Sequence, residues 1–320
     1  MSVKNRTMLF VIIIFMLLSG VYYYLGYRQA QDSLQAKSTC MEAVTDKVFQ
    51  SVVQDLFGPY EKRIRTFAHA HPEILEAFAK RDRELLYKRT LPIYTALKDE
   101  NAFFQTLPFT LPDGINFLRM HDPSMHGDSQ GQFRPILKAV AEAGQHFSGF
   151  EVGRHGSFYR ITQPIFHEGN FIGTIEFGLL SRQITDTLRE RLAKPVAEYY
   201  LTEEWKKADQ QGEQNKVYGN YTILLEKDSP FSQLPPNISL TTMHQEIRLN
   251  GRIYILHTHP ILKDYDGRVV GGIVALQDIS DELEQRKNYL IHSLLQTGLL
   301  LSMALAVLFV GFGRLVDRLE

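Results

Sequence analysis

The sequence contains a single cysteine in 320 residues, Cys40, so no disulfide bond can form within the chain. We interpret this residue as a small buried side chain on a helix rather than a reactive thiol. The formal net charge is −1 at pH 7 and basic tracts are absent, which argues against nucleic acid as a partner. A glycine-rich phosphate loop and a nucleophile elbow are also absent, and no Ser-His-Asp set can be argued from spacing. We therefore expect neither an enzymatic activity nor a cofactor.

Charged residues are missing from two long apolar stretches near the ends of the chain. Residues 8–27 and 289–312 are each long enough to cross a bilayer as a helix. Tyrosines gather at the end of the first stretch, where interfacial aromatic residues are expected. Its apolar run exceeds a signal-peptide core and no small-x-small cleavage site follows before Arg28, so we interpret it as an uncleaved anchor. The sequence thus predicts two transmembrane helices.

Basic residues lie beyond both predicted spans, toward the two chain ends. Lys4 and Arg6 precede the first span, and Arg314 and Arg318 follow the second. Because cytoplasmic segments carry an excess of Lys and Arg, we expect both tails in the cytoplasm and the intervening chain on the other side of the membrane. The predicted tails are residues 1–7 and 313–320.

The segment that follows the first span, residues 28–69, has apolar residues at helical spacing and contains no glycine before Gly58. It predicts a long stalk helix that leads out of the membrane, with a bend near Gly58 and Pro59. Its apolar stripe is longer than one folded module needs to cover, so we expect it to pair with its copy in a homodimer. Further helix is expected from His71, where a proline falls in the first turn, and over residues 82–98.

The stretch of residues 156–180 reads as two strands joined by a glycine turn. Strands are predicted over 158–166 and 171–180 with His-Glu-Gly-Asn between them, and the Gly-Asn pair suits a positive backbone angle. The same pattern returns from Gly251 and is again followed by an apolar strand. A repeat about a hundred residues apart indicates two copies of one α+β module. The matching pairs are Pro164-Ile165 with Pro260-Ile261, and Gly169–Gly173 with Gly267–Gly271.

The remaining segments alternate between helical and strand patterns, with turns marked by proline and glycine. In the first module we expect strands over 103–111 and 115–121, a helix over 134–143 and a strand over 147–152. In the second we expect a helix over 183–205, a loop over 206–220, strands over 221–226 and 245–249, and a helix over 281–288 that enters the second span. The two modules are predicted to comprise residues 70–182 and 183–288.

Several strings in the first module resemble a known family. They are Phe117–His121, Gly127-Asp128, Phe133–Pro135, Ser148–Gly153 and Ile172–Gly178, together with Gly156, Arg160 and Pro164-Ile165. They are similar to the third double-Cache family, which occurs in the extracytoplasmic parts of bacterial diguanylate cyclases, chemoreceptors and sensor kinases. The resemblance implies an α+β fold of two tandem PAS-like modules on a long helix. It also implies that the first, membrane-distal module holds a small-molecule ligand and that the second, membrane-proximal module relays a signal.

The resemblance further implies a two-pass protein of the bacterial inner membrane with most of the chain in the periplasm. Family members normally continue into a linker helix and an output domain, whereas this chain ends at Glu320, a few residues after the second span. We therefore expect the output to come from an unknown cytoplasmic or membrane partner, or the chain to be a truncated receptor. The alternative is a membrane-anchored assembly protein that binds a protein partner instead of a small ligand.

Candidate ligand-binding residues lie in the first module. Arg119 and His121 alternate along one predicted strand and therefore face the same way. An arginine aimed into apolar surroundings suits a carboxylate or another planar anion through paired hydrogen bonds. Under the opposite interpretation, the arginines pair internally with Asp128, Glu151 or Glu176 and brace the sheet, and the aromatic residues belong to the core. The candidates are Arg119, His121, Arg134, Arg160, Phe117, Phe158 and Asp128.

The loop from His121 to Asp128 holds four potential metal ligands. Their spacing matches no standard site, so we expect an ordinary polar loop and no metal. A membrane-tethered metallohydrolase that uses this loop is a further hypothesis, which requires bound metal and loss of activity on His126→Ala. His257 and His259 share a strand face, but no third ligand is evident.

Overall fold

A computed structural model of the chain describes residues 3–130, 134–153, 155–207 and 215–316. The chain forms two compact units. One unit consists of Met1–Ala43, Gly251–Ile253 and Asp278–Glu320, and the other of Val44–Asn250 and Tyr254–Gln277. Each is described in turn.

The first unit contains the two apolar helical segments. Helix α1 spans Val3–Ala70 and helix α7 spans Ser280–Val316. Two stretches, Leu9–Ser33 and Ser280–Gly311, are long and apolar enough to cross a membrane, with mean hydropathies of 2.2 and 2.1. These helices touch each other, because the Tyr22 and Tyr289 hydroxyls lie 3.2 Å apart.

Cys40 lies on α1 and is exposed, so our expectation of a buried side chain is wrong. The described neighbours along this part of the helix, such as Thr39, Ala43 and Val44, are exposed as well. Helical periodicity predicts the helix, but it does not show which of its residues are buried.

The first module of the second unit is a sheet with helices on both faces. Its strand order is β3-β2-β6-β5-β4, and β1 also pairs with β6. The predicted strand–turn–strand around residues 112–114, the short helix and the following strand are all confirmed. The helices are α2 Pro72–Ala79, α3 Arg83–Glu100, α4 Pro135–Ala143 and α5 Arg182–Leu192. The strands are β1 Phe104–Thr106, β2 Pro108–Thr110, β3 Asn116–Arg119, β4 Phe147–Gly153, β5 Gly156–His167 and β6 Asn170–Leu180.

The second module of the same unit is built on a sheet of order β10-β11-β12-β7-β9-β8. The hairpin of β11 and β12 confirms the predicted repeat. Its strands are β7 Val196–Leu201, β8 Lys216–Tyr218, β9 Tyr221–Ile223, β10 His244–Leu249, β11 Arg252–Lys263 and β12 Val269–Asp278. Its helices are α6 Thr202–Trp205 and a 3-10 turn at Pro230–Gln233.

Three segments differ from the prediction. The expected single strand over 103–111 is divided into β1 and β2, and of these only β2 pairs with β3. The expected single helix over 183–205 is shorter, since α5 ends at Leu192. It ends there because Ala193 takes a left-handed conformation and Pro195 follows. Strand β7 comes next and pairs with both β12 and β9. The expected loop over 206–220 contains strand β8, and residues 208–214 of that prediction lie outside the described residues.

The β5–β6 hairpin separates an apolar face from a polar one. Its turn has positive φ angles at Glu168 and Gly169, of 51° and 80°, one residue earlier than the Gly-Asn pair that we expected. On one face, Tyr159 stacks on Phe57 of α1 with ring centroids 4.1 Å apart, within the module's core. The other face carries Arg160 and its neighbours under α4.

The two modules meet through buried polar groups and a close backbone approach. Ser181 Oγ and the Tyr200 hydroxyl donate to Glu198 at 2.7 and 3.0 Å. Nearby, a side chain at Gly149 of β4 would overlap the backbone of Asp264 and Tyr265 in the β11–β12 loop, so this contact requires glycine. The first module therefore touches the second through a strand of its sheet.

The Glu198 carboxyl should make stability pH-dependent. Burial raises its pKa from 4.5 to about 7, although the Ser181 and Tyr200 hydrogen bonds oppose the shift. The folded state holds the neutral acid, so this stabilisation is complete below pH 4.5 and is lost as pH rises through 7. The shift corresponds to roughly 3 kcal/mol of unfolding free energy.

We expect Glu198→Gln to flatten the decline in stability between pH 5 and 8, compared with the wild type. Urea unfolding can be followed by fluorescence of the single tryptophan, Trp205, whose ring stacks on Tyr200. Glu203→Gln, at an exposed position of α6, is the control and should keep the wild-type profile. Equal pH profiles for the wild type and Glu198→Gln would contradict the assignment.

Candidate functional site

Four charged side chains form a buried network between α4 and the polar face of the first sheet. Arg134 immediately precedes Pro135, a residue suited to the first turn of α4, and its Nε donates to Glu151 Oε1 at 2.8 Å. Its Nη1 and Nη2 donate to the two oxygens of Glu176, with Nη1 at 3.1 Å. Arg160 Nη1 donates to Glu176 Oε1 at 2.7 Å, and Thr162 Oγ1 donates to Glu176 Oε2 at 2.9 Å. Both oxygens of Glu176 are therefore fully used.

The network is electrically balanced. Burial alone would raise the pKa of Glu176, whose side chain is only 2% exposed, but Arg134 and Arg160 outweigh burial and lower it to about 2. Burial likewise opposes the charge of Arg134, whereas Glu151 and Glu176 raise its pKa. Two arginines thus face two carboxylates. All three nitrogens of Arg134 donate to them, whereas Arg160 donates through Nη1, and its buried Nε, 3.3 Å from Glu151 Oε1, has no hydrogen-bond partner among the described residues.

Arg119 lies at the end of β3 and holds a different carboxylate. Its Nη1 and Nη2 donate to the two oxygens of Asp128 at 2.8 and 2.7 Å, in the parallel geometry of a bidentate pair. Nη1 also donates to the Met125 carbonyl at 2.8 Å. The Asn116 amide oxygen, oriented to satisfy both of its polar atoms, accepts from Nε and Nη2 at 3.0 Å. All five N–H groups of Arg119 therefore have partners, and three of these hydrogen bonds, to Asn116 and Met125, do not depend on Asp128.

His121 lies two residues after Arg119, and its side chain is exposed to solvent. Partial desolvation and the positive charges of Arg119 and Arg160 lower its pKa below the ordinary 6.5. Because each guanidinium acts on the same ring, Arg119, His121 and Arg160 belong to one electrostatic neighbourhood. The two aromatic candidates are placed differently. The Arg160 guanidinium covers the buried Phe158 ring at 4.7 Å, so Phe158 belongs to this neighbourhood, whereas Phe117 packs against Phe78 of α2 at 5.7 Å.

Two of the four potential metal ligands in the His121–Asp128 loop, both carboxylates, have other partners. Asp122 Oδ1 accepts hydrogen bonds from Ser124, and Asp128 pairs with Arg119. In the second module His257 Nε2 bonds Gln277 Oε1 at 3.0 Å. Among the described residues, no group of three or more His, Cys, Asp or Glu side chains is arranged to hold a metal ion.

A cleft of about 230 Å³ lies beside the network, between the β2–β3 turn, α4 and β6. Thr174 lines it, and the Thr174 hydroxyl is buried and has no hydrogen-bond partner among the described residues. Lys138, Glu142 and Asp113 also line the cleft, so both signs of charge are present. Sequence reasoning did not select these residues, because the α4 side chains are ordinary surface types and the β6 threonine matches any strand.

The fold, with two α+β modules in series on a long helix, is that of a double sensory domain. Residues 45–283 match the family model of dCache_3, the double sensory domain of two-component sensor kinases. This match covers most of the chain, so the chain belongs to the double-Cache family that its sequence strings resemble. The family is a sensor or receptor domain, and the two apolar helices flank it.

Solved structures with similar folds include three sensor domains. The ligand-binding domain of the Pseudomonas fluorescens chemoreceptor CtaA, in complex with L-leucine, has 13% identity and a TM-score of 0.46, covering 78% of this chain and 97% of that one. That of Campylobacter jejuni Tlp3, with 4-methylisoleucine, has 11% identity and a TM-score of 0.47, covering 78% and 94%. The Vibrio cholerae histidine kinase DctB sensor domain has 13% identity and a TM-score of 0.49, covering 76% and 98%. Comparison with curated proteins gave no match.

Removing one carboxylate from the buried network should be costly. We expect Glu176→Gln to lower the free energy of unfolding by about 3 kcal/mol or more, because it leaves two buried guanidiniums with one carboxylate. Glu100→Gln is the matched control: Glu100 pairs with Arg63 at 2.7 Å, but both side chains are nearly half exposed, so the loss should stay below about 1 kcal/mol. Urea unfolding measures both changes, and equal losses would contradict the central place of Glu176.

Proposed function

We propose that this chain is a transmembrane receptor whose first module binds a small molecule bearing a carboxylate, which takes the place of Asp128 on Arg119. The observation that carries the proposal is the bidentate Arg119–Asp128 pair. The guanidinium already presents two parallel N–H groups to a carboxylate, which is the arrangement that recognises an acid. In the ligand-free protein, the Asp128 carboxylate occupies the position on Arg119 that the ligand carboxylate would take.

Arg119 can exchange its internal carboxylate for that of a ligand more readily than Arg134 or Arg160 can. Its side chain is 12% exposed, while that of Asp128 is 43% exposed and comes from the loop that follows β3. Asn116 and the Met125 carbonyl hold the guanidinium in position when Asp128 leaves. Arg134 and Arg160, in contrast, share Glu176, whose displacement would strand two buried charges. Thus one arginine recognises the ligand and two brace the sheet.

The proposal also covers how the receptor is anchored in the membrane, where its sensor domain lies and how it passes on a signal. The two apolar helices anchor it as a two-pass protein of the bacterial inner membrane, and the basic residues near both chain ends favour cytoplasmic tails and a periplasmic sensor domain. The apolar stripe of α1 supports pairing with a second copy, and an output partner in the membrane or cytoplasm receives the signal. A ligand that favours one of two arrangements of the modules shifts their populations.

The test begins with thermal stability of the full chain in lipid nanodiscs, screened against amino acids, organic acids, amines and purines. Binding to the folded state raises the unfolding midpoint by mass action. For a carboxylate hit, we expect Arg119→Lys to weaken binding about tenfold, since the ammonium loses the bidentate geometry. Calorimetric titration gives the dissociation constants.

If the ligand displaces Asp128 from Arg119, a change at Asp128 should have the opposite effect on ligand affinity from a change at Arg119. Asp128→Asn removes the competing charge, so carboxylate affinity should rise by up to about tenfold. Asp122→Asn is the matched control, because Asp122 lies in the same loop and bonds Ser124 instead of Arg119. Affinity that falls in Asp128→Asn as it does in Arg119→Lys would show that the pair only braces the loop. A screen without any carboxylate hit would overturn the proposed ligand class.

A further inference from the structure

The second module has a cavity of its own, on the face of its sheet that is opposite to α1. Its volume is about 450 Å³, against about 230 Å³ for the cleft in the first module. Strands β7, β9, β11 and β12 line it together with residues 240–243. Ligand pockets in proteins typically measure roughly 300–1,000 Å³, whereas ordinary cores contain few voids larger than a water molecule. The cavity is therefore large enough for a small organic molecule.

The lining is apolar and aromatic with a few hydroxyl groups. Tyr199, Leu201 and Tyr221 are among the apolar and aromatic lining residues, and Thr241 and Thr258 carry hydroxyls. None of the described residues that line the cavity is charged. A carboxylate or ammonium bound here would lose its hydration without gaining a counter-charge, so the lining selects for an uncharged molecule.

Thr258 contributes a polar group to the cavity whose hydrogen-bonding capacity is not satisfied by the described residues. It is 3% exposed, and its hydroxyl is buried without a hydrogen-bond partner among the described residues. Its backbone N–H is satisfied, since it donates to the Met243 carbonyl at 2.9 Å. Buried hydroxyls are nearly always paired, so a polar group of a bound molecule would complete this site.

The internal repeat explains why Thr258 lacks a partner. In the first module Thr162 donates to Glu176 at 2.9 Å. Counting from the matched Pro164-Ile165 and Pro260-Ile261, Thr258 occupies the position of Thr162. Counting from Gly173 and Gly271, however, Val274 replaces Glu176, and it belongs to the buried apolar cluster of the second module. The second module thus keeps the threonine and has lost its acceptor.

We propose that the second module binds a small uncharged molecule in this cavity, with a hydroxyl or carbonyl group bonded to Thr258 and an apolar body packed against Tyr199, Leu201 and Tyr221. Entry is from the side of Met243 and Val269, which line the cavity and are exposed to solvent. This site differs from Arg119 in module, in size and in the charge of its ligand. The receptor then integrates two chemically different signals.

The test uses 4-fluorobenzyl alcohol as the probe and fluorine NMR of the full chain in lipid nanodiscs, with empty nanodiscs subtracted. We expect saturable binding whose dissociation constant rises about fivefold to tenfold in Thr258→Val, because the substitution keeps the shape and removes the hydroxyl. Thr90→Val on α3 is the matched control: its hydroxyl is equally buried and unpaired, but it does not line the cavity. It should leave binding unchanged.

Two further variants and a second probe complete the design. Met243→Trp and Val269→Trp place bulk at exposed positions of the entrance, so at least one should abolish binding without unfolding the module. The charged analogue 4-fluorobenzoate should not bind in the cavity, so the tryptophan variants should leave any binding of it unchanged. Arg119→Ala should leave binding of the alcohol intact. Binding no greater than that of empty nanodiscs, or binding that both tryptophan variants and Thr258→Val retain, would overturn the proposal. Either failure leaves the carboxylate site on Arg119 untouched.

Discussion

Four paired charges on one face of the first sheet constrain the rest of the site: Arg160 and Glu176, which are buried, and Arg134 and Glu151, which are partly buried. Moving an ion out of water costs several kcal/mol, and here only mutual pairing offsets that cost. The pairing ties the start of α4 to β4 and β6. It engages every nitrogen of Arg134 and one of Arg160. Our proposal assigns recognition of an external acid to the pair outside the network, Arg119 and Asp128.

The two modules share a repeat but differ in the chemistry of the same sheet face. Where the first module has Arg160 and Glu176, the repeat places Leu256 and Val274 in the second, and both are buried in its apolar cluster. One face consequently carries buried ion pairs, whereas the corresponding face of the other module is apolar. The modules meet at Gly149 and at the Glu198 carboxyl, so a rearrangement in either module bears on the other through backbone contact and a shared buried acid.

Much of the fold follows from the sequence because its signals are local. Periodicity and turn residues predict the hairpins and the repeat, and apolar length predicts the two spans. Strand β7 was missed because Val196–Tyr200 is buried on both faces, so the alternation that marks a half-exposed strand is absent. The site was predicted only in part. The three arginines of the site could be recognised in the sequence, but the partner of Glu176 could not. A regular hairpin register counted from the turn at Glu168-Gly169 pairs Glu176 with Ile161. A β-bulge between Ile165 and Phe166 shifts the register by one residue, so Glu176 lies opposite Thr162 instead.

The most direct measurement of the central claim is the pKa of the Asp128 carboxyl with and without bound carboxylate ligand. Carbon-13 NMR of aspartate-labelled full chain in nanodiscs follows it during an acid titration. In the free protein the Arg119 hydrogen bonds hold this pKa below its ordinary 3.8. The account predicts that a saturating ligand releases Asp128, so its pKa returns toward 3.8. A pKa that stays lowered in the liganded protein would contradict the exchange of Asp128 for the ligand.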